Sequence, residues 1–219
     1  MKAFIGIDVQ EKPACCFAVI SDDAVTLETG WFGADPTKDV LHLIDKLMNK
    51  NYEVFVGIDA PRTPLKSPRQ LYWDGRHNRW RRRRQEEKGY GRHCEIVVRA
   101  HAIANPQYTP LAEVAPAWMK IGFKLFSALQ DIVPNYEVYP TASYSLLEGI
   151  TNVQLSINFS SCKLGPKDII DSLVAAVTVR EYVHERGCSV GGGDGLGEII
   201  LPRPLRQPVI KEVLTFDRD

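Results

Sequence analysis

The 219-residue chain lacks several features that mark common classes of protein. It has no apolar run of transmembrane length, so we expect no membrane partner. It begins without the basic patch, apolar stretch and small-residue cleavage site of a signal peptide, which predicts a cytoplasmic location. It also lacks a CxxC pair, a GxSxG elbow and a Walker phosphate loop. These absences argue against a disulfide-exchange protein, a serine hydrolase and a P-loop nucleotide hydrolase.

Cysteine is scarce, and its number is odd. The five cysteines are Cys15, Cys16, Cys94, Cys162 and Cys188. Two are adjacent in a strand-like run, so we expect reduced thiols rather than a disulfide framework. A zinc site from His77, His93, Cys94 and His101 is the weaker alternative, because their spacing matches no strong metal pattern.

The chain also has no net charge, but its charges are unevenly distributed. The segment from Arg62 to Arg99 holds 12 Lys and Arg against 4 Asp and Glu, which leaves the remainder at −8. Such a basic segment favours an anionic partner, and we predict nucleic acid. The predicted phosphate-binding residues are Arg76, Arg79, Arg81, Arg82, Arg83, Arg84 and Arg92.

Aromatic residues are interleaved with these arginines. Arginine forks fit phosphates, and aromatic rings stack on bases. The stacking candidates are Tyr72, Trp73, Trp80 and Tyr90. The alternative is an exposed charged helix whose arginines pair with Glu86, Glu87 and other acids.

The first third of the chain predicts a mixed sheet. Residues 3–8, 14–20 and 24–32 are strand-like and closely spaced, which predicts an antiparallel meander. A helix then begins with Asp35 as N-cap, and Val40, Leu41, Ile44, Leu47 and Met48 form its apolar face. This helix is a crossover to a fourth strand at residues 53–59, which we expect to be parallel to the first.

The rest of the chain continues the alternation of helix and strand. We predict a helix at 116–132, a short strand at 136–140, a helix from Pro166 to a C-terminal glycine at Gly187, and a last strand after the flexible loop GGGDGLG. Residues 60–115 are predicted to be an irregular basic insertion. The whole, 1–219, is expected to be one α/β domain.

Acidic residues follow the predicted strands at the same edge. Asp8 ends the segment FIGID, and Asp59 ends its echo FVGID. Asp168 and Asp171 share one face of the last helix. Taken singly, each acid is also explained as a turn or helix-start residue. Crowded carboxylates repel one another, and Mg²⁺ or Mn²⁺ relieves this repulsion, so the joint pattern predicts a shared metal site.

These residues also resemble a known family. The segments FIGIDVQ, FVGIDAPRTP, GRHCEIVVRA, EVYPTASY, KDIIDSLVAAVTVREY and GDGLGEIILP resemble, in order, the family called domain of unknown function 429. Its members are described as predicted nucleases of the ribonuclease H fold. The acid arrangement is also similar to that of RuvC-type junction resolvases.

The resemblance implies a ribonuclease H-like five-stranded sheet flanked by helices, with a two-metal acidic site. Carried over by residue, it assigns metal binding to Asp8, Asp59 and Asp171, with Asp168 as a further catalytic residue. Glu137 lies in the matching EVYP segment and is a further candidate metal ligand.

Three functions are compatible with the sequence. The first is a Mg²⁺- or Mn²⁺-dependent nuclease or other phosphodiesterase. The second is a non-catalytic module on the same fold that binds nucleic acid or a protein. The third, a phosphotransferase related to the actin-like kinases, is disfavoured because the chain is short and no glycine-rich phosphate loop follows the strands.

Overall fold

A computed structural model describes residues 1–148 and 165–216. The main-sheet strands are β1 (Lys2–Asp8), β2 (Cys16–Ser21), β3 (Thr26–Trp31), β4 (Glu53–Asp59), β7 (Asn135–Glu137), β8 (Cys188–Gly191) and β9 (Glu198–Leu201). A separate hairpin is formed by β5 (Leu71–Asp74) and β6 (Arg79–Arg82). The helices are α1 (Pro36–Met48), α2 (His93–Ala100), α3 (Ala117–Leu129), α4 (Pro140–Leu147), α5 (Pro166–Val183) and α6 (Lys211–Leu214).

The main sheet is mixed and has the strand order β3-β2-β1-β4-β7-β9-β8. The strands β1 to β3 are antiparallel, β4, β7 and β9 continue parallel to β1, and β8 returns antiparallel to β9. This confirms the predicted α/β class with an antiparallel meander followed by parallel strands. The predicted number of five strands was wrong, because the described residues form a sheet of seven.

The two central strands are buried on both faces, as their apolar sequences predict. Odd-numbered residues of β1 pack into the core beneath α1 and α3, together with even-numbered residues of β4. Phe4 of β1 and Phe55 of β4 face α5 on the other side of the sheet, where their rings stack 5.5 Å apart. The sheet is therefore the middle layer of three.

Helix α1 begins as predicted, since the Asp35 side chain accepts a hydrogen bond from the Lys38 amide at 3.2 Å. Its buried residues are Val40, Leu43, Ile44 and Leu47. Met48 was predicted on this face but is 49% exposed, because the helix ends there and its last turn points past the core.

Residues 60–115 are more ordered than predicted. They contain the β5–β6 hairpin and α2, and both pack on a third apolar cluster shared with β8, β9 and α6. Trp80 of the hairpin donates its indole N–H to the backbone oxygens of Glu212 and Thr215. The expectation of irregular structure was wrong because the short α2 carries its apolar residues on nearly all sides.

The glycine-rich segment after β8 is tied down rather than free. The Asp194 carboxylate accepts hydrogen bonds from the backbone amide of His93 at 2.7 Å and from Arg69 at 2.8 Å. Gly191 lies so close to Cys94 that a Cβ there would be 2.4 Å from the Cys94 Cβ. The predicted flexible loop is therefore the turn of the β8–β9 hairpin.

Two further expectations concern the chain as a whole. Within residues 1–148 and 165–216, no helix is both long and apolar enough to cross a bilayer. Cys15, Cys16, Cys94 and Cys188 are free thiols, as predicted, whereas Cys162 lies outside the described residues.

Candidate active site

The echoed segments FIGID and FVGID lie side by side. They pair in parallel register, so that Phe4 lies beside Phe55, Gly6 beside Gly57 and Asp8 beside Asp59. All three pairs share the sheet face toward α5, because side chains alternate along a strand. The two aspartates therefore leave adjacent strands at the same carboxyl edge, as predicted, and that edge is the usual position of a site in α/β sheets.

The glycines of the two segments let α5 approach the sheet. A Cβ on Gly6 would lie 1.9 Å from the backbone oxygen of Ser172, and one on Gly57 would lie 2.5 Å from the side chain of Val179. Only glycine leaves room for a helix at this distance. Because α5 contacts β1 at Ser172, the preceding residue of the helix, Asp171, lies at the edge where the two aspartates lie.

The aspartates at this edge influence one another. Burial raises the pKa of Asp8 to about 6; the Gln10 hydrogen bond opposes this rise, and the charges of Asp171 and Asp168 add to it. Burial, followed by the charges of Asp8 and Asp171, also raises the pKa of Asp59 well above its usual range. Mutual repulsion of this kind makes the edge attractive to a cation.

Each of two acids already has partners from the chain. Gln10 donates to Asp8 at 2.5 Å. The Tyr144 hydroxyl donates to Oδ1 of Asp171 at 2.7 Å, and Lys167 forms an ion pair with Oδ2 of the same carboxylate. The sequence reasoning did not include these three residues. Lys167 lies four residues before Asp171, which is a detectable helical spacing, but no sequence signal links Tyr144 to α5.

Asp168 lies in the first turn of α5 and is half-buried. It is close enough to contribute to the raised pKa of Asp8. Of the five predicted acids, the structure therefore brings Asp8, Asp59, Asp168 and Asp171 to one edge.

Glu137 is placed differently from its predicted role as a metal ligand. It is buried and forms an ion pair with Arg92. The guanidinium donates one hydrogen bond to Oε2 at 2.7 Å and a second, shorter one to Oε1. The backbone amide of Arg62 donates to Oε2 at 2.8 Å. The carboxylate is thus used by the protein itself.

Arg92 is likewise not on the predicted basic surface. Only 1% of the residue is exposed, and its guanidinium contacts both Glu137 and Glu95. Glu95 also accepts hydrogen bonds from the amide and hydroxyl of Thr109. Sequence could not separate this buried arginine from the exposed ones, because the partner in β7 is 45 residues away.

A cavity of about 620 Å³ lies next to Asp59 at the carboxyl ends of β1, β4 and β7. The buried charged residues that line it, here called its floor, are Arg92, Glu95 and Glu137, and Trp118 of α3 also lines it. This volume is within the range of small-molecule sites. Trp118 falls within the helix predicted at 116–132, but no sequence signal placed this residue in a site.

The basic hairpin, defined here as residues 71–84, contains the remaining predicted arginines. Arg81 forms a two-point ion pair with Glu87 and lies over the Tyr72 ring, and Arg83 donates to the Glu87 backbone. Arg76, Arg79, Arg82 and Arg84 are exposed.

The aromatic residues of the hairpin are used for packing. Trp73 and Trp80 pack edge to face and contact the third apolar cluster, and Trp80 also contacts Phe216. Their predicted role in base stacking conflicts with this packing. Of the alternative, an arginine pairing with Glu87 is present at Arg81, but the charged helix was wrong because the segment forms the β5–β6 hairpin.

Two further findings concern metal binding at this edge and the similarity of the chain to known proteins. Among the residues described, no group of three or more His, Cys, Asp or Glu side chains is arranged to hold a metal ion. No family model, curated protein or solved structure matches this chain. The family resemblance and the metal site both remain predictions.

Proposed function

We propose that the protein is a Mg²⁺- or Mn²⁺-dependent phosphodiesterase that cuts a nucleic-acid backbone, on a ribonuclease H-like fold. One observation carries the proposal. Asp8, Asp59 and Asp171 converge at the carboxyl edge of two adjacent parallel strands, where burial and mutual repulsion raise the pKa of Asp8 and Asp59. Perturbed acids in a cleft are typical of functional sites.

The donor chemistry of this edge fits a hard divalent cation. Carboxylate oxygens are the ligands that Mg²⁺ and Mn²⁺ prefer. Cys16 pairs with Asp8 in the sheet, but burial raises the pKa of its thiol to about 12, so it stays protonated and does not compete for the cation. The spacing fits only after rearrangement, because Lys167 and Tyr144 hold Asp171. The Lys167 side chain is 82% exposed on a flexible stem, so it is easily displaced from the carboxylate.

The residues would then divide the work of hydrolysis. Asp8, Asp59 and Asp171 would hold the cation, and Gln10 orients the Asp8 carboxylate through its hydrogen bond. A bound divalent cation supplies charge stabilisation and a water of lowered pKa. Asp168, half-buried at the start of α5, accepts the proton of the attacking water.

The exposed arginines of the basic hairpin supply phosphate contacts away from the acids. Arg76, Arg79, Arg82 and Arg84 together offset the repulsion between an acidic edge and a polyanion. Because Arg81 and Arg83 are occupied with Glu87, the four exposed residues carry this role.

The direct test is cleavage of a panel of single-stranded, duplex and branched DNA and RNA, with Mn²⁺ and with chelator. We expect cleavage in the presence of Mn²⁺ and no cleavage in the presence of chelator. Asp59→Asn should abolish cutting while binding is retained, and Asp131→Asn, an exposed acid beyond α3, is the matched control. A wild-type protein that cuts no member of the panel would contradict the proposal.

The second candidate is a binding module without catalysis. It is favoured by one observation, that both oxygens of Asp171 already have partners within the chain. Melting temperature separates the candidates, because an ion that binds only the folded state stabilises it. Millimolar Mn²⁺ should raise the melting temperature of the wild type and not of Asp8→Asn; equal, unchanged values in both would favour the binding module.

A further inference from the structure

The cavity beside Asp59 has walls suited to a flat ring. Trp118 and Tyr139 line it together with Pro61 and Pro106, and the buried residues Val138 and Ile199 complete its apolar lining. Trp118 is half-buried, so one part of its indole is fixed by packing against the core while the rest borders the cavity. Rigid aromatic and proline surfaces bind planar groups with little loss of conformational freedom.

The floor of the cavity offers no cationic nitrogen that lacks a partner. Every nitrogen of the Arg92 guanidinium donates to Glu95 or Glu137. The floor also holds two carboxylates for one guanidinium, so its net charge is negative. A phosphate or carboxylate group is therefore repelled from the floor, and a neutral ring is accepted. Besides Asp59, the other charged lining residues are Glu11 and Lys12, which are exposed and of opposite sign.

The position of the cavity connects it to the acids. Asp59 lies on its rim, and Gln10, which donates to Asp8, lines it as well. Tyr139 lines the cavity together with Asp59 and Glu95. A group in the cavity is thus adjacent to whatever the acids hold.

We propose that the cavity binds one nucleobase of the substrate, stacked on Trp118, with the attached phosphate outside near Asp59. This inference rests on the proposed function, since it assumes that the substrate is a nucleic acid. It adds a recognition pocket that holds a base next to the bond to be cut. The base is unstacked from its neighbours, so single-stranded substrates are preferred.

The experiment measures binding without metal, so that it does not depend on catalysis. Nucleoside 5′-monophosphates and ribose 5-phosphate, which lacks the base, are titrated calorimetrically in the presence of chelator. We expect the nucleotides to bind at least about tenfold more tightly than ribose 5-phosphate, in line with the usual effect of base stacking.

Two variants test the role of the ring. Trp118→Phe retains a flat ring and should bind within about threefold of the wild type, whereas Trp118→Leu keeps only apolar volume and should lose about tenfold. Melting temperatures of both variants show that they fold. Trp31→Phe, which alters a tryptophan that does not line the cavity, is the control.

The outcomes are distinct. Equal affinity for ribose 5-phosphate, unchanged binding by Trp118→Leu, or tighter binding of N-acetylphenylalaninamide than of any nucleotide would each overturn the base pocket. Metal-dependent cleavage without nucleotide binding would overturn the pocket and leave the proposed function intact. Nucleotide binding without cleavage would support the pocket and contradict the nuclease.

Discussion

At the scale of single residues, ionisation of the buried carboxyl groups Asp8 and Asp59 destabilises the folded protein. A carboxyl group whose pKa is higher in the folded state than in the unfolded chain binds protons more tightly when folded. For Asp8 the pKa rises from 3.8 to about 6. Its contribution to stability is therefore present in full below about pH 4 and is lost as the pH rises through 6. Asp59 acts in the same direction.

Removing the charge of Asp8 should stabilise the metal-free protein near neutral pH. We expect Asp8→Asn to raise the free energy of unfolding at pH 7, in chelator, by up to about 3 kcal/mol, and to have little effect at pH 4. Urea unfolding of both proteins between pH 4 and 7.5 gives the difference directly. A difference that does not change with pH would show that Asp8 is not a perturbed group.

Arg92 should behave as a buried structural cation. Arg92→Met leaves Glu95 and Glu137 buried without their cation, so we expect a loss of about 3–5 kcal/mol in the free energy of unfolding. Arg82→Met, at an exposed position of the hairpin, is the control and should change little. Chemical unfolding measures both, and a loss below about 1 kcal/mol for Arg92→Met would contradict the buried pair.

The residues of the site differ in how far sequence could predict them. Asp8 and Asp59 were predictable, because each ends an apolar strand and strand ends meet at one edge. Glu137 and Arg92 were not, since their sequences carry no sign that they neutralise each other across 45 residues. Tyr144 reaches Asp171 only through the packing of α4 on α5, which no local pattern encodes.

At the scale of elements, the site depends on how closely α5 lies on β1 and β4. Gly6→Ala would place a methyl group 1.9 Å from the backbone of α5, so the helix must move. We expect a loss of about 3 kcal/mol in stability, as for severe overpacking, or failure to fold. Measuring the free energy of unfolding tests this.

The matched control is Gly75→Ala in the hairpin turn, where the nearest atom to a new Cβ would be 3.8 Å away. It should alter stability by less than about 1 kcal/mol. Equal stability of the two variants would mean that the close approach of α5 is not as described. Loss of Mn²⁺ response in a folded Gly6→Ala protein would further link the helix position to Asp171.

Elements with strong periodicity were predicted well, and short ones were not. Helix α1, with its cap at Asp35, and the start and length of α5 follow from pattern. The predicted end of α5 at Gly187 was wrong, because the helix ends at Val183 and Glu185 takes the left-handed conformation. Strand β8 was missed because it runs into three glycines, which predict a loop. The β5–β6 hairpin was hidden by its arginines, although Trp73 and Trp80 form a cross-strand pair between its two strands.

At the scale of the whole molecule, the clustered acids lie at the carboxyl edge of the main sheet and the exposed arginines lie on the basic hairpin. Replacing the four exposed hairpin arginines, Arg76, Arg79, Arg82 and Arg84, by alanine should weaken nucleic-acid binding. If each contacts one phosphate, the slope of log affinity against log salt should become shallower by about 3–4. Fluorescence polarisation between 50 and 300 mM salt, which is about the range where such slopes are resolved, measures it.

A charge-matched control distinguishes a local surface from a general effect. It replaces four exposed lysines elsewhere, Lys38, Lys50, Lys120 and Lys124. These should leave the slope nearly unchanged. If both variants change it equally, binding follows net charge and the hairpin is not a specific surface.

The parallel pairing of FIGID with FVGID has a consequence for errors in folding. If β4 slipped by one residue against β1, Asp59 would turn to the opposite face and Gly57 would turn away from α5 at the same time. The side chain that takes its place would then collide with the helix. A chain in which β4 is shifted by one residue against β1 thus cannot pack α5 on the sheet. The packing of α5 therefore selects the register in which Asp8 and Asp59 lie side by side.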